Sequence, residues 1–169
     1  MDTSRGWLEI DLDALTHNLA VVRERAEGAA LLLVAKADAY GHGAVPVAHH
    51  AVHAGVEALG VSTAGEALEL RRAGIRARIL LLGVLFAEEA APAIEHDVEV
   101  TLPSRAIGQQ LERAGRRLGR RVAVHLKVDS GMHRLGVRPE EALPLLRKIH
   151  ASPWLRLAGV MTHVASPAR

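Results

Sequence analysis

At 169 residues and 49% apolar, the chain is long enough to build one substantial core, and with 2% aromatic content that core must be made of Leu, Val, Ile and Ala. Such a core suits β/α layers better than an aromatic-rich β-sandwich. A formal charge of +2 from 21 basic and 19 acidic, interspersed residues points away from nucleic acid, and the lack of cysteine excludes disulfides and thiolate-bound zinc. With no membrane-length apolar run, the expected compartment is the cytoplasm.

In chain order, Trp7-Leu8-Glu9-Ile10 predicts a short leading strand within residues 1–10. Leu12, Leu15, Leu19 and Val22 then recur at helical spacing and predict a helix ending near Gly28. Six apolar runs follow as strand candidates: Ala30 to Val34, Leu59 to Val61, Arg78 to Leu82, Val98 to Thr101, Val122 to Val128 and Leu157 to Thr162. Between them, helices are predicted over Ala64 to Ala73, Ser104 to Leu118 and Pro139 to Ala151. Gly74 stands as a C-terminal cap, Ser104 as an N-cap and Pro139 in a first turn. The basic run from Arg113 to Arg121 lacks interleaved aromatics and reads as a solvated helix end. This alternation predicts an α/β fold with a parallel sheet in a single domain over 1–169. Six strands leave two architectures open, a doubly wound sheet or a (β/α)8 barrel cut short.

In parallel β/α folds, chemistry gathers at the C-terminal ends of the strands. The first strand run leads into Lys36, on the same face as Leu32 and Val34. An amine desolvated among apolar neighbours has a lowered pKa and attacks carbonyls to form imines, although a surface lysine at a strand end has the same local pattern. In the fifth strand, His125, Lys127 and Asp129 alternate with Val124, Leu126 and Val128, so three ionisable groups share one face. A glycine-bounded loop then places Arg134 above that strand end, where its fork suits a carboxylate or phenolate. The sixth strand delivers His163. His49, His50 and His53 lack the H-E-x-x-H arrangement of a zinc peptidase, and no metal site is expected. Neither a G-x-S-x-G elbow nor a phosphate-binding or dinucleotide glycine motif is present.

The run Val34-Ala35-Lys36-Ala37-Asp38-Ala39-Tyr40-Gly41-His42-Gly43 resembles the cofactor-lysine motif of bacterial alanine racemases. The similarity continues through Trp7 to Leu12, His125 to Gly136 and Gly159 to His163. It implies an eight-stranded β/α barrel followed by a β-rich C-terminal domain, working as a homodimer with pyridoxal 5'-phosphate on alanine. The expectation is therefore a partial (β/α)8 TIM-type barrel with about six of eight strands and the C-terminal β domain absent. Its reaction would be the interconversion of L- and D-alanine for peptidoglycan synthesis. The resemblance makes Lys36 the cofactor lysine and a catalytic base, and sets Tyr40 beside the cofactor phosphate. Arg134 falls near the pyridine hydroxyl and substrate carboxylate, His163 against the cofactor ring, and Lys127 where many members carry an N-carboxylysine. His133 stands where the family usually has glycine, and Val164 where it has a larger apolar residue. After Ala165-Ser166 the family continues with acidic residues, whereas this sequence reads Pro167-Ala168-Arg169, so the isolated chain is expected to be inactive. Two other readings stay open, a single-domain pyridoxal-phosphate carrier or regulatory protein of the same barrel type and an inactive truncated product.

Overall fold

The computed structural model describes residues 6–166, so Pro167, Ala168 and Arg169 lie outside the described residues. Six parallel strands, β1 (Leu32–Val34), β2 (Ala58–Val61), β3 (Arg78–Leu81), β4 (Glu99–Leu102), β5 (Val122–Lys127) and β6 (Leu155–Met161), pair in strict sequence order. The helices that cross between them are α3 (Ala44–His53), α4 (Ala64–Arg72), α5 (Ala90–Glu95), α6 (Arg105–Leu118) and α7 (Pro139–Ala151). Two more helical segments precede them, α1 (Leu12–Arg25) and the single turn α2 (Lys36–Gly41). Sequential neighbours joined by helical crossovers curve one way, which is the topology of a β/α barrel. Among the described residues no pairing joins β6 back to β1, so the barrel is partial, as the strand count and the family resemblance predict.

Helix boundaries follow local chemistry. The Asp11 carboxylate accepts from the Asp13 and Ala14 amides at the start of α1, and the Ser104 hydroxyl accepts from Ile107 at the start of α6. Pro139 opens α7, where its missing N–H costs nothing. The main core lies between sheet and helices, with Leu59, Val61, Ile79, Leu81, Val100, Leu102, Val122, Val124 and Leu126 all buried. Period-two alternation turns the other set of side chains inward, and that inner face positions the chemistry.

Two local expectations differ from the structure. Residues 7–10 form no strand; Trp7 and Leu8 are exposed, and a run with strand propensity stays unpaired when no neighbouring backbone completes its ladder. The first strand ends at Val34 rather than at Lys36, because Ala37, Asp38, Ala39 and Tyr40 all adopt left-handed helical angles (φ between 51° and 56°). No helix among the described residues is long and apolar enough to cross a membrane.

Candidate active site

Lys36 opens that left-handed turn. Left-handed helix costs an L-residue roughly 1–2 kcal/mol, so four in succession persist only where the surroundings hold them. Glu66 does much of the holding: one carboxylate oxygen accepts from the Ala37 amide (2.9 Å) and the other from Ser62 (2.7 Å) and Thr63 (3.2 Å). Asp38 Oδ1 accepts from Ala44 (2.6 Å), which ties the turn's far end to α3. The turn aims the half-buried Lys36 inward and sets its Nζ 5.8 Å from the Tyr40 ring centroid, within cation–π range.

Across the cavity from Lys36, β5 ends in Lys127, and Asp129 follows two residues later. Burial, then the charge of Arg134, lowers the Lys127 ammonium below the ordinary lysine value, with Asp129 opposing. Asp129 shapes the loop after β5. Its Oδ1 accepts from the Gly131 and His133 amides, both at 3.0 Å, and these bonds hold its carboxyl below the usual range. Val137 closes the loop by bonding back to Lys127 and Asp129. That return demands Gly136, at φ +130°, where an added Cβ would stand 2.6 Å from the Asp129 nitrogen. The Ser130 hydroxyl, 2.6 Å from that of Thr162, fastens the loop to the end of β6. Arg134 is thereby suspended over the strand ends. His133 sits at φ 54°, a conformation that glycine adopts most cheaply and that an L-residue enters only at a cost.

These elements enclose a cavity of about 400 Å³ whose walls include Lys36, Tyr40, Lys127, Asp129, Arg134 and His163. All five residues singled out from sequence as site candidates, Lys36, Tyr40, Lys127, Arg134 and His163, therefore meet in one place. His125 does not join them. It lies deeper in the barrel, its Nε2 2.6 Å from Glu99, whose carboxylate also takes both a 2.8 Å and a 2.9 Å bond from Arg78. Gly159 leaves room for that ring, since a Cβ there would stand 2.7 Å from His125 Nδ1. Glu66, which holds the turn of Lys36, is the residue that the sequence reading missed; its signal was the Thr63-x-x-Glu66 capping-box spacing.

The sequence profile of the family described as alanine racemase, N-terminal domain, matches residues 10–169. The chain belongs to that family. An alanine racemase of Symbiobacterium thermophilum is 42% identical over 160 residues, covering 95% of this chain and 42% of that protein. One of Mycolicibacterium smegmatis is 46% identical over 158 residues, covering 92% and 41% respectively. Among solved structures, the alanine racemase of Clostridium difficile 630 in complex with cycloserine superposes with a TM-score of 0.92 at 36% identity, covering 98% of this chain and 46% of that one. A histidine racemase from Leuconostoc mesenteroides superposes at 0.85 with 28% identity, covering 92% and 42%. This chain thus spans less than half the length of the alanine racemases it matches.

Proposed function

We propose that this chain carries the lysine-bearing half of a pyridoxal-phosphate-dependent alanine racemase site, which interconverts L- and D-alanine for cell-wall peptidoglycan. The observation that supports it above all is the convergence of Lys36, Tyr40, Lys127, Arg134 and His163 on one cavity at the C-terminal ends of the strands. Alanine is favoured over histidine as substrate because identity reaches 46% with an alanine racemase but 28% with the histidine racemase.

The residues present fit the cofactor. A primary amine opens into a cavity of about 400 Å³, within the roughly 300–1,000 Å³ usual for small-molecule sites, and two further cations face it. In this reading Lys36 holds the cofactor, Tyr40 serves its phosphate, His163 lies against its ring, and Arg134 meets the pyridine oxygen and the substrate carboxylate. When bound, the cofactor supplies the electron sink that makes the Cα proton of alanine acidic. Lys36 Nζ, freed on substrate binding, removes that proton from one face. By the family resemblance Tyr40, the single tyrosine of the sequence, is the residue beside the phosphate and not the base that returns the proton. On the same resemblance the returning base is a tyrosine of the partner subunit in a homodimeric whole protein. Lys127, with its proton affinity lowered, is suited to add carbon dioxide: the neutral amine forms an N–C bond and releases a proton. The carbamate anion so formed pairs with Arg134 in place of a like charge.

The test is direct. Titration with pyridoxal phosphate should produce a new absorbance band, and sodium borohydride should fix the cofactor covalently on Lys36, located by peptide mapping. An adduct that maps elsewhere, or a K36A chain that labels as well as the parent, overturns the reading.

A further inference from the structure

A second cavity, of about 370 Å³, lies at the other end of the barrel, where β3, β4, β5 and β6 begin. Arg71, Arg76, Arg78, Arg121 and Arg156 line it, with Asp97 and Glu99 as the acidic members. Five guanidinium groups against two carboxylates leave three positive charges, whereas the whole chain carries +2. The rest of the chain therefore sums to about one negative charge, so this cavity is more basic than the molecule as a whole.

Both acids are already engaged. Glu99 is bridged by Arg78 and His125, and Asp97 takes a 2.7 Å bond from Arg120, outside the cavity. Arg71 is locked by four bonds to the backbone oxygens of His96, Ile75, Ala77 and Asp97, which fixes its charge beside the cavity. Arg121 spends one bond on the Leu155 carbonyl. The Arg76 and Arg156 side chains are exposed and make no hydrogen bond or ion pair among the described residues. Like charges gathered around a concavity repel one another unless an anion joins them. Guanidinium forks match phosphate oxygens two at a time. No wall residue is aromatic, which removes the stacking that single-stranded nucleic acid uses.

We propose that the N-terminal mouth of the barrel is a binding site for a compact polyphosphate anion, free or as the tail of a nucleotide, distinct from the Lys36 cavity. Three positive charges in this volume suit a pyrophosphate group better than a single carboxylate. The site does not depend on Lys36 holding a cofactor.

Calorimetric titration of the 169-residue chain with inorganic pyrophosphate at low salt should give one-site binding that weakens as salt rises. The R76A/R156A double substitution removes two unpartnered exposed side chains and should leave the circular dichroism spectrum unchanged. It should weaken binding by roughly tenfold to hundredfold, the loss of a charge-assisted hydrogen bond or two. A K36A chain should bind pyrophosphate as the parent does. Binding of ADP as tight as or tighter than pyrophosphate assigns the nucleotide source, and binding of pyrophosphate alone assigns the free anion; both support the site. Absence of saturable binding, equal binding by the double variant, or loss of binding in K36A overturns it.

Discussion

Burial by itself would raise the carboxyl of Glu99, yet hydrogen bonds from His125 and Arg78, with their charges, hold it at about 2 against an ordinary value of 4.5. A carboxyl depressed on folding stabilises fully above its unfolded pKa, and that contribution is lost as pH falls from about 4.5 towards 2. The size is at most about 3 kcal/mol, a sizeable share of a typical domain's stability. Urea unfolding followed between pH 6 and pH 3, an interval chosen to span about half of the window, should therefore show a steep loss in the parent. The E99Q chain should be less stable at pH 6 and show a shallower slope; parallel slopes would remove Glu99 from this role. The same residues mark a limit of the sequence. Period-two alternation puts His125 and Lys127 on one face but is silent about depth, and the roughly 7 Å between them separates the barrel interior from the open cavity. Glu99 lies in an apolar-looking run, and only the register of β4 against β5 reveals that His125 is within its reach.

The element that decides the geometry of Lys36 is the left-handed turn, and its stability is borrowed from α4. Three backbone N–H groups from two strand ends converge on the Glu66 carboxylate, while Glu66 also completes the capping box of its own helix with Thr63. Substituting E66A leaves those donors without a protein partner and should cost about 1–3 kcal/mol. E66Q keeps one acceptor oxygen and should cost less. A purely structural role would lower stability alone. Our expectation is that borohydride-trapped labelling of Lys36 also falls under conditions where E66A remains fully folded, with partial rescue in E66Q. Unchanged labelling in folded E66A would show that the turn orients itself. From sequence, the six strands and the helices α4, α6 and α7 were legible because hydrophobic period, caps and turn residues agree there, whereas the short α5 was not foreseen. The turn was not, since Ala37 and Ala39 carry no preference for positive φ, and Ala37 is tied to a residue 29 positions away. The leading strand at Trp7 to Ile10 failed for the complementary reason: local propensity was right for a strand, but a strand also needs a partner.

Across the whole molecule, the crossover rule left a doubly wound sheet and a barrel both open, and it was the family resemblance that pointed to the sequential strand order the structure shows. Closure is another matter. β1 and β6 each pair on one side only, and among the described residues nothing satisfies their outer backbone groups through the sheet. β6 also presents Leu157 and Val160, 42% and 53% exposed, and β1 presents Leu32 at 38%. Leaving a large apolar side chain wholly in water forfeits about 1.5–3 kcal/mol, and leaving it half exposed roughly half of that, against a total of about 5–15 kcal/mol for a domain. Three such residues beside two open edges therefore weigh heavily on the 169-residue polypeptide taken alone, and edge pairing is the response that sheets with free edges make. Light scattering at micromolar concentration should show self-association that increases with concentration. Hydrogen exchange should be fast at Leu32 to Val34 and at Leu157 to Met161 but slow at the buried central strands β2, β3 and β4. Charged substitutions on the outer face of β6, such as L157K with V160K, should shift the distribution towards monomer without changing exchange in the central strands. A monodisperse monomer with slow exchange at both β1 and β6 would mean that the two edges are covered in solution, and the open-barrel account of this chain would have to be replaced by one in which six strands suffice.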